Sequence, residues 1–282
     1  MIAWLIGAST SLCGDGEACI RVAAPLLHAA TALLVFFAAR ALYDERTGLW
    51  SASPYELMPG TSFSSLLITT DVPLLFFWAL ALLALAELRR MPNAVWSIVF
   101  GAAIGFGLLS KYAMLYFVLG AALALLPAAE GRSLLFGRWG LIACLAAGVV
   151  FAPNVVWNAV NSFATVGHTA SNANWGAEKL FNIGKLGEFI AAQAGIVGPL
   201  AAGIVVWGLA RGWRDRDWAG ADTLLLSLSL PVLAIVAVQA FISRANANWA
   251  APAFVALSIL VAAWGVRRGL AKILVANLGL NA

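Results

Sequence analysis

Four residues place charge where an otherwise apolar chain leaves almost none. Asp71 follows Thr69-Thr70 and precedes Val72-Pro73 and the run LLFFWALALLAL. Lys111 sits between GFGLLS and YAMLYFVLG, Arg21 precedes an apolar stretch, and Arg244 follows one. Cations gathered near a carboxylate suit an anionic ligand such as a phosphate. They stabilise charge developing on a departing oxygen, while the carboxylate takes or orients a proton. Each residue also has a structural reading. Asp71 at a helix start gains about 0.3–1 kcal/mol from the dipole and can cap free N–H groups. Lys111 can snorkel to an interface, and Arg21 and Arg244 can anchor lipid headgroups.

The tetrapeptide Asn-Ala-Asn-Trp occurs at 172–175 and again at 246–249. Asn172, Asn174 and Trp175, with Asn246, Asn248 and Trp249, supply amides for hydroxyl groups and an indole plate for a ring, as a sugar site requires. An interfacial tryptophan belt is the competing reading. His168 suits a metal ligand, a general base or an ordinary loop residue. His28 and Glu56 fall inside apolar stretches and are expected to be structural, with the Glu56 carboxylate paired or protonated.

The elements carrying these residues follow from composition. Of 282 residues, 62% are hydrophobic and only 11% charged, against about 25% charged in soluble domains. The mean hydropathy is +0.91, so the chain is expected to be a polytopic, all-α transmembrane bundle forming a single domain over 1–282. The net charge of +4 comes from cations scattered at span ends, which is no signal for nucleic acid. Cys13, Cys19 and Cys144 have no metal-ligand spacing; Cys13 and Cys19 could close a short disulfide but read as lone thiols. No phosphate loop, His-Glu-x-x-His, Gly-x-Ser-x-Gly or Cys-x-x-Cys motif occurs, so nucleotide-driven energy coupling within this chain is excluded.

Spans are predicted at 22–41, 49–68, 72–88, 94–109, 112–127, 139–157, 189–210, 222–242 and 249–266, about nine in all. The stretch 94–127 would be ~51 Å long as one helix, too long for a hydrocarbon core of about 30 Å, so it is divided at Ser110-Lys111. Twelve of the seventeen Lys and Arg residues then fall on alternate connectors, which the positive-inside rule makes cytoplasmic. Arg21, Lys111, Lys179, Lys185 and Arg244 fall on the other side, with Asp71 and a long extracytoplasmic loop over 158–188. This topology puts the C-terminus in the cytoplasm and predicts one further helix upstream of Met1.

The segments IAWLIGASTSLCGDGEACIRVAAPLL, TTDVPLLFFWALALLALAEL, GFGLLSKYAMLYFVLG, APNVVWNAVNSF and RANANWAAPAF together resemble the GT-C type, polyprenyl-phosphate-sugar-dependent glycosyltransferases. The bacterial dolichyl-phosphate-mannose-protein mannosyltransferase-like and lipid A aminoarabinose-transferase-like branch is the nearest in arrangement. The resemblance implies an inner-membrane bundle with outer-face loop helices. It also implies inverting transfer of a hexosyl or pentosyl group from a lipid-phosphate carrier to a lipid, glycan or protein acceptor outside the cytoplasm. Asp71 matches the family's second outer acid, Lys111 the residue holding the carrier phosphate, and Arg21 the arginine before the second helix. His168 and the Asn-Ala-Asn-Trp segments match loosely. The family's first outer acid would precede Ile2, so this chain reads as shortened at its N-terminus. A divalent metal at the phosphate is compatible with the resemblance and not required by it. A flippase or secondary transporter, or an inactive family member, is the alternative.

Overall fold

A computed structural model describes residues 1–175, 180–215 and 218–281, and every regular element among them is helical. The order is α1 (Ile2–Cys13), α2 (Glu17–Arg21), α3 (Ala23–Leu42), α4 (Glu45–Glu56), α5 (Pro59–Ser64), α6 (Asp71–Arg90), α7 (Ala94–Ser110), a 3-10 turn (Tyr112–Met114) and α8 (Leu115–Leu125). There follow α9 (Ala129–Phe136), α10 (Arg138–Val160), α11 (Ala164–Asn172), α12 (Ile183–Val197), α13 (Pro199–Asp215), α14 (Gly220–Ile242), a second 3-10 turn (Ala247–Ala250), α15 (Ala251–Arg267) and α16 (Ala271–Asn281).

The all-helical bundle agrees with the sequence, but the count of about nine spans does not. Among the described residues five helical segments are long and apolar enough to cross: Glu17–Leu42, Asp71–Arg90, Arg138–Val160, Gly220–Ile242 and Ala247–Arg267. A sixth is gained if α12 and α13, bent by 108°, act as one broken span. The reasons are local. The expected span at 49–68 is broken by Pro54 within α4 and by Pro59 opening α5, where a ring replaces a backbone donor. The two expected at 94–109 and 112–127 form helices of 17 and 11 residues. At 1.5 Å per residue these fall short of a core about 30 Å thick. The stretch 189–210 bends where Gly198 takes a left-handed φ of 86° ahead of Pro199.

Two helices form the centre. The apolar windows of α6 and of the Ala247–Arg267 segment are 78% and 83% buried, whereas that of α10 is 6% buried. Trp78 of α6 is fully enclosed and meets Phe117 edge-to-face at 5.0 Å. α7 lies against α10 at small residues: a Cβ on Gly101 would collide with the backbone of Ala143, and one on Gly105 would meet Val150 at 2.7 Å. Between α4 and α5, buried His28 is bonded to Ser64 at 3.0 Å and to the Tyr55 hydroxyl at 3.4 Å, the structural role expected of it. Glu56 leaves its buried Oε2 without a partner, and burial raises its pKa.

Cys13 and Cys19 are joined in a disulfide, contrary to the reading as lone thiols. The Gly14–Gly16 turn between α1 and α2 folds the two cysteines together. Within the predicted 158–188 loop the structure builds α11 and the start of α12, while Lys179 lies outside the described residues.

Candidate active site

The N-terminal ends of α6 and of the Ala247–Arg267 segment meet at one end of the bundle, so two positive helix-dipole ends face the same point. Asp71 opens α6 and is 5% exposed. The N-cap residue Thr70 makes no side-chain cap bond, and the Asp71 carboxylate in the first turn is turned to two distant side chains. Its Oδ1 accepts from the Lys111 ammonium at 2.7 Å, and Oδ2 accepts from the Asn248 amide at 2.6 Å. Lys111 is placed by the break between α7 and the following turn. Its backbone is extended (φ −161°, ψ 136°), which ends α7 and turns the side chain toward α6. Residues separated by 40 and by 177 positions thus form one polar cluster.

The next residue, Tyr112, extends it. Its hydroxyl donates to Asn154 Oδ1 at 2.9 Å and lies 2.7 Å from Thr165 Oγ1, with the Asn158 amide at 3.4 Å. Thr165 in turn donates through its backbone N–H and its hydroxyl to Asn158 Oδ1, tying α11 to α10. The candidate residues read from sequence do not include this network. Its signal was present as two asparagines four apart in APNVVWNAVNSF, a spacing that stacks side chains on one helix face.

Both Asn-Ala-Asn-Trp segments gather at this end. Gln239, near the end of α14, accepts from Trp175 Nε1 at 2.8 Å and donates to the carbonyls of Ala173 at 2.8 Å and Arg244 at 3.0 Å. The Asn174 carbonyl accepts from Ser243 at 2.9 Å. The second segment forms the 3-10 turn, where the Asn246 carbonyl accepts from the Trp249 N–H and half-buried Trp249 packs on the core. Asn172 and His168 are exposed on α11, and His168 makes no hydrogen bond to the Asp71 cluster. Arg21 is spent elsewhere: it pairs with Glu17 at 2.7 Å and donates to the Leu66 carbonyl at 3.2 Å, on the strand of chain leading to Asp71. Arg244 is exposed four residues before Asn248.

Among the described residues no three His, Cys, Asp or Glu side chains converge as a metal cage. An ammonium and an amide donor already face the single carboxylate, a donor set that receives anions rather than cations. These residues therefore do not fit a resident divalent ion.

Residues 1–157 match the family model described as dolichyl-phosphate-mannose-protein mannosyltransferase. The chain belongs to this family. The chain is 38% identical over 265 residues to a lipid A galacturonosyltransferase, RgtD, of Rhizobium johnstonii, covering 94% of the chain and 55% of that protein. The fold is that of ArnT from Cupriavidus metallidurans, with a TM-score of 0.74 at 18% identity, over 98% of the chain and 51% of that structure. The chain thus spans about half the length of the relatives it matches. The GT-C resemblance read from the five segments is borne out, and with it the assignment to a polytopic membrane protein related to RgtD and sharing the ArnT fold.

Proposed function

We propose that the chain acts in transfer of a sugar from a polyprenyl-phosphate carrier to a lipid or glycan acceptor, at the end of the bundle holding Asp71. The observation that carries this is the Asp71–Lys111–Asn248 cluster seated where two helix N-termini meet. In an inverting displacement the acceptor oxygen or nitrogen attacks the anomeric carbon, and the carbon–oxygen bond to phosphate breaks with its electron pair leaving on the phosphate. Charge grows on that phosphate, and Lys111 with the two dipole ends opposes it. Asp71, whose oxygens keep unused lone pairs, orients the acceptor and receives its proton. Arg244 adds positive charge at the same end, whereas Arg21 is paired with Glu17. Asn172, Asn174, Trp175, Asn246 and Trp249, with His168, form the rim for the sugar and acceptor. An apolar groove of about 640 Å³ along α10, lined by Val149, Ala152, Pro153, Val156, Trp157 and Val160, suits the hydrocarbon of a carrier.

Sidedness rests on two supports. Arginine-rich turns are expected to face the cytoplasm of a bacterial inner membrane, which leaves the Asp71 end outside. The Cys13–Cys19 disulfide adjoins that same end through Arg21, and disulfides persist in oxidising compartments. The test is retention of a radiolabelled polyprenyl-phosphate sugar by the purified chain in nanodiscs, followed by release on adding acceptor lipid. Lys111→Gln should weaken donor retention by about tenfold or more, the loss of one charge-assisted contact to phosphate. Retention equal to that of the unaltered chain would refute the role given to Lys111.

A further inference from the structure

Asn248 reaches Asp71 on a short connector, the segment SRANAN over 243–248 that follows α14. Its side chains alternate: Arg244, Asn246 and Asn248 are exposed, whereas Ala245 and Ala247 are half-buried. An exposed side chain has little packing of its own to place it, yet the Asn248 amide meets Asp71 Oδ2 at 2.6 Å. Two glutamine amides supply the hold on the backbone. Gln239 of α14 donates to the Arg244 carbonyl at 3.0 Å, and Gln193 of α12 donates to the Ala247 carbonyl at 3.2 Å. The second of these pins the peptide immediately before Asn248.

Gln193 is out of character for its place. Phe189 and Val197, one turn to either side on the same face of α12, are 4% and 5% exposed, so this row of the helix faces the core. An aliphatic side chain suits the position between them. The amide found there bonds the Phe189 and Ala247 carbonyls through Nε2, while its buried Oε1 has no partner among the described residues. A buried amide oxygen without a donor is unfavourable, and a group left so calls for a reason other than stability. Among the described residues, the bond to Ala247 is the one hydrogen bond of this side chain that leaves α12.

We propose that Gln193 is a positioning residue for sugar transfer. By fixing the Ala247 carbonyl it holds the Asn248 amide on one oxygen of Asp71, which sets the rotation of the carboxylate and turns its remaining lone pairs to the acceptor. This role rests on the sugar-transfer reading of the Asp71 cluster. Lys111, on the other oxygen, comes from the end of α7 and is not carried by the connector. Loss of the Gln193 bond therefore disturbs alignment of the acceptor and leaves the phosphate contact in place. Gln239 also holds Trp175, so Gln193 is the cleaner of the two glutamines to alter.

The experiment uses the full chain in nanodiscs, isotope-labelled on asparagine side-chain amides, with Gln193→Met beside the unaltered protein. Methionine keeps the length of the side chain and removes both the donor and the orphan oxygen, so the thermal midpoint should not fall. Gln193→Leu removes the same amide and serves if the methionine variant does not fold. Magnetic resonance reads the Asn248 amide, identified by its loss in Asn248→Ala. Its proton resonance should move upfield in Gln193→Met as the bond to Asp71 loosens. Acceptor-dependent release of sugar from bound donor should slow about tenfold at saturating acceptor, the effect of a misaligned reacting group. Donor retention should stay as in the unaltered chain. An unmoved Asn248 resonance overturns the proposal, and so does a moved resonance with release unchanged. Donor retention falling in step with release overturns it too, since that marks general damage. An unaltered chain that retains donor and releases nothing refutes the sugar-transfer reading and the role built on it, an outcome distinct from an unmoved resonance.

Discussion

Replacing Asp71 by Asn tests whether the polar cluster is held by charge. The Asp71 side chain is 7% exposed and that of Lys111 26%. At 2.7 Å the gross attraction is about 6 kcal/mol for an effective dielectric constant near 20. Desolvation offsets much of it. Breaking a fully buried pair costs about 3–5 kcal/mol, and water reaching the Lys111 ammonium lowers this to about 2–3 kcal/mol for Asp71→Asn. The Asn248 bond survives, because an amide oxygen at position 71 still accepts from it. Lys111→Met should be the more damaging single change, at about 3–5 kcal/mol, since it strands the deeper charge. The double variant strands neither, so it should be more stable than the sum of the two losses implies, by a coupling of about 2–3 kcal/mol. The measurement is the unfolding midpoint of the four proteins in mixed micelles. Additive losses, with coupling below about 0.5 kcal/mol, would show that the two groups do not act as a pair.

Three further outcomes follow from the geometry. Tyr112→Phe removes the hydroxyl that joins Asn154 and Thr165, and should cost about 1–2 kcal/mol and raise amide exchange over residues 161–172, read by hydrogen–deuterium exchange. Asp222→Asn leaves Arg267, 37% exposed, without its counter-charge, and should lower stability by about 2–4 kcal/mol in a thermal melt while donor retention at the far end is unchanged. Burial, followed by the Asp222 charge, raises the pKa of Tyr43 above its ordinary value of 10.0. A raised phenol contributes stability that is complete below pH 10 and is lost as pH climbs through the window above it. Thermal unfolding at stepwise increasing pH should show this alkaline loss, and Tyr43→Phe should remove it.

The sequence announced the class of the molecule because composition is a bulk property. Few charges and many apolar runs leave a helical membrane bundle as the fold that satisfies its backbone. It also singled out Asp71 and Lys111, since an isolated charge in an apolar chain is conspicuous whatever surrounds it. Span counting failed where length and continuity mattered more than apolarity. Pro54 and Pro59, and Gly198, divide stretches that hydropathy alone reads as one crossing, and the halves on either side of Lys111, though divided correctly, are each too short to cross.

Only the tertiary structure decided which polar groups share a site. Asn248 looked like half of a sugar-binding repeat and is the donor to Asp71, whereas Trp175 of the matching repeat is held by Gln239. Tyr112 was one aromatic among many until the approach of α10 and α11 gave its hydroxyl partners. Periodicity along the chain records which side of a helix avoids water. It holds no record of which distant segments meet, because that is set by the packing of α6 against α15 at the centre of the bundle. Position along the sequence made Asp71 conspicuous, and helix packing gave it Lys111 and Asn248 as partners.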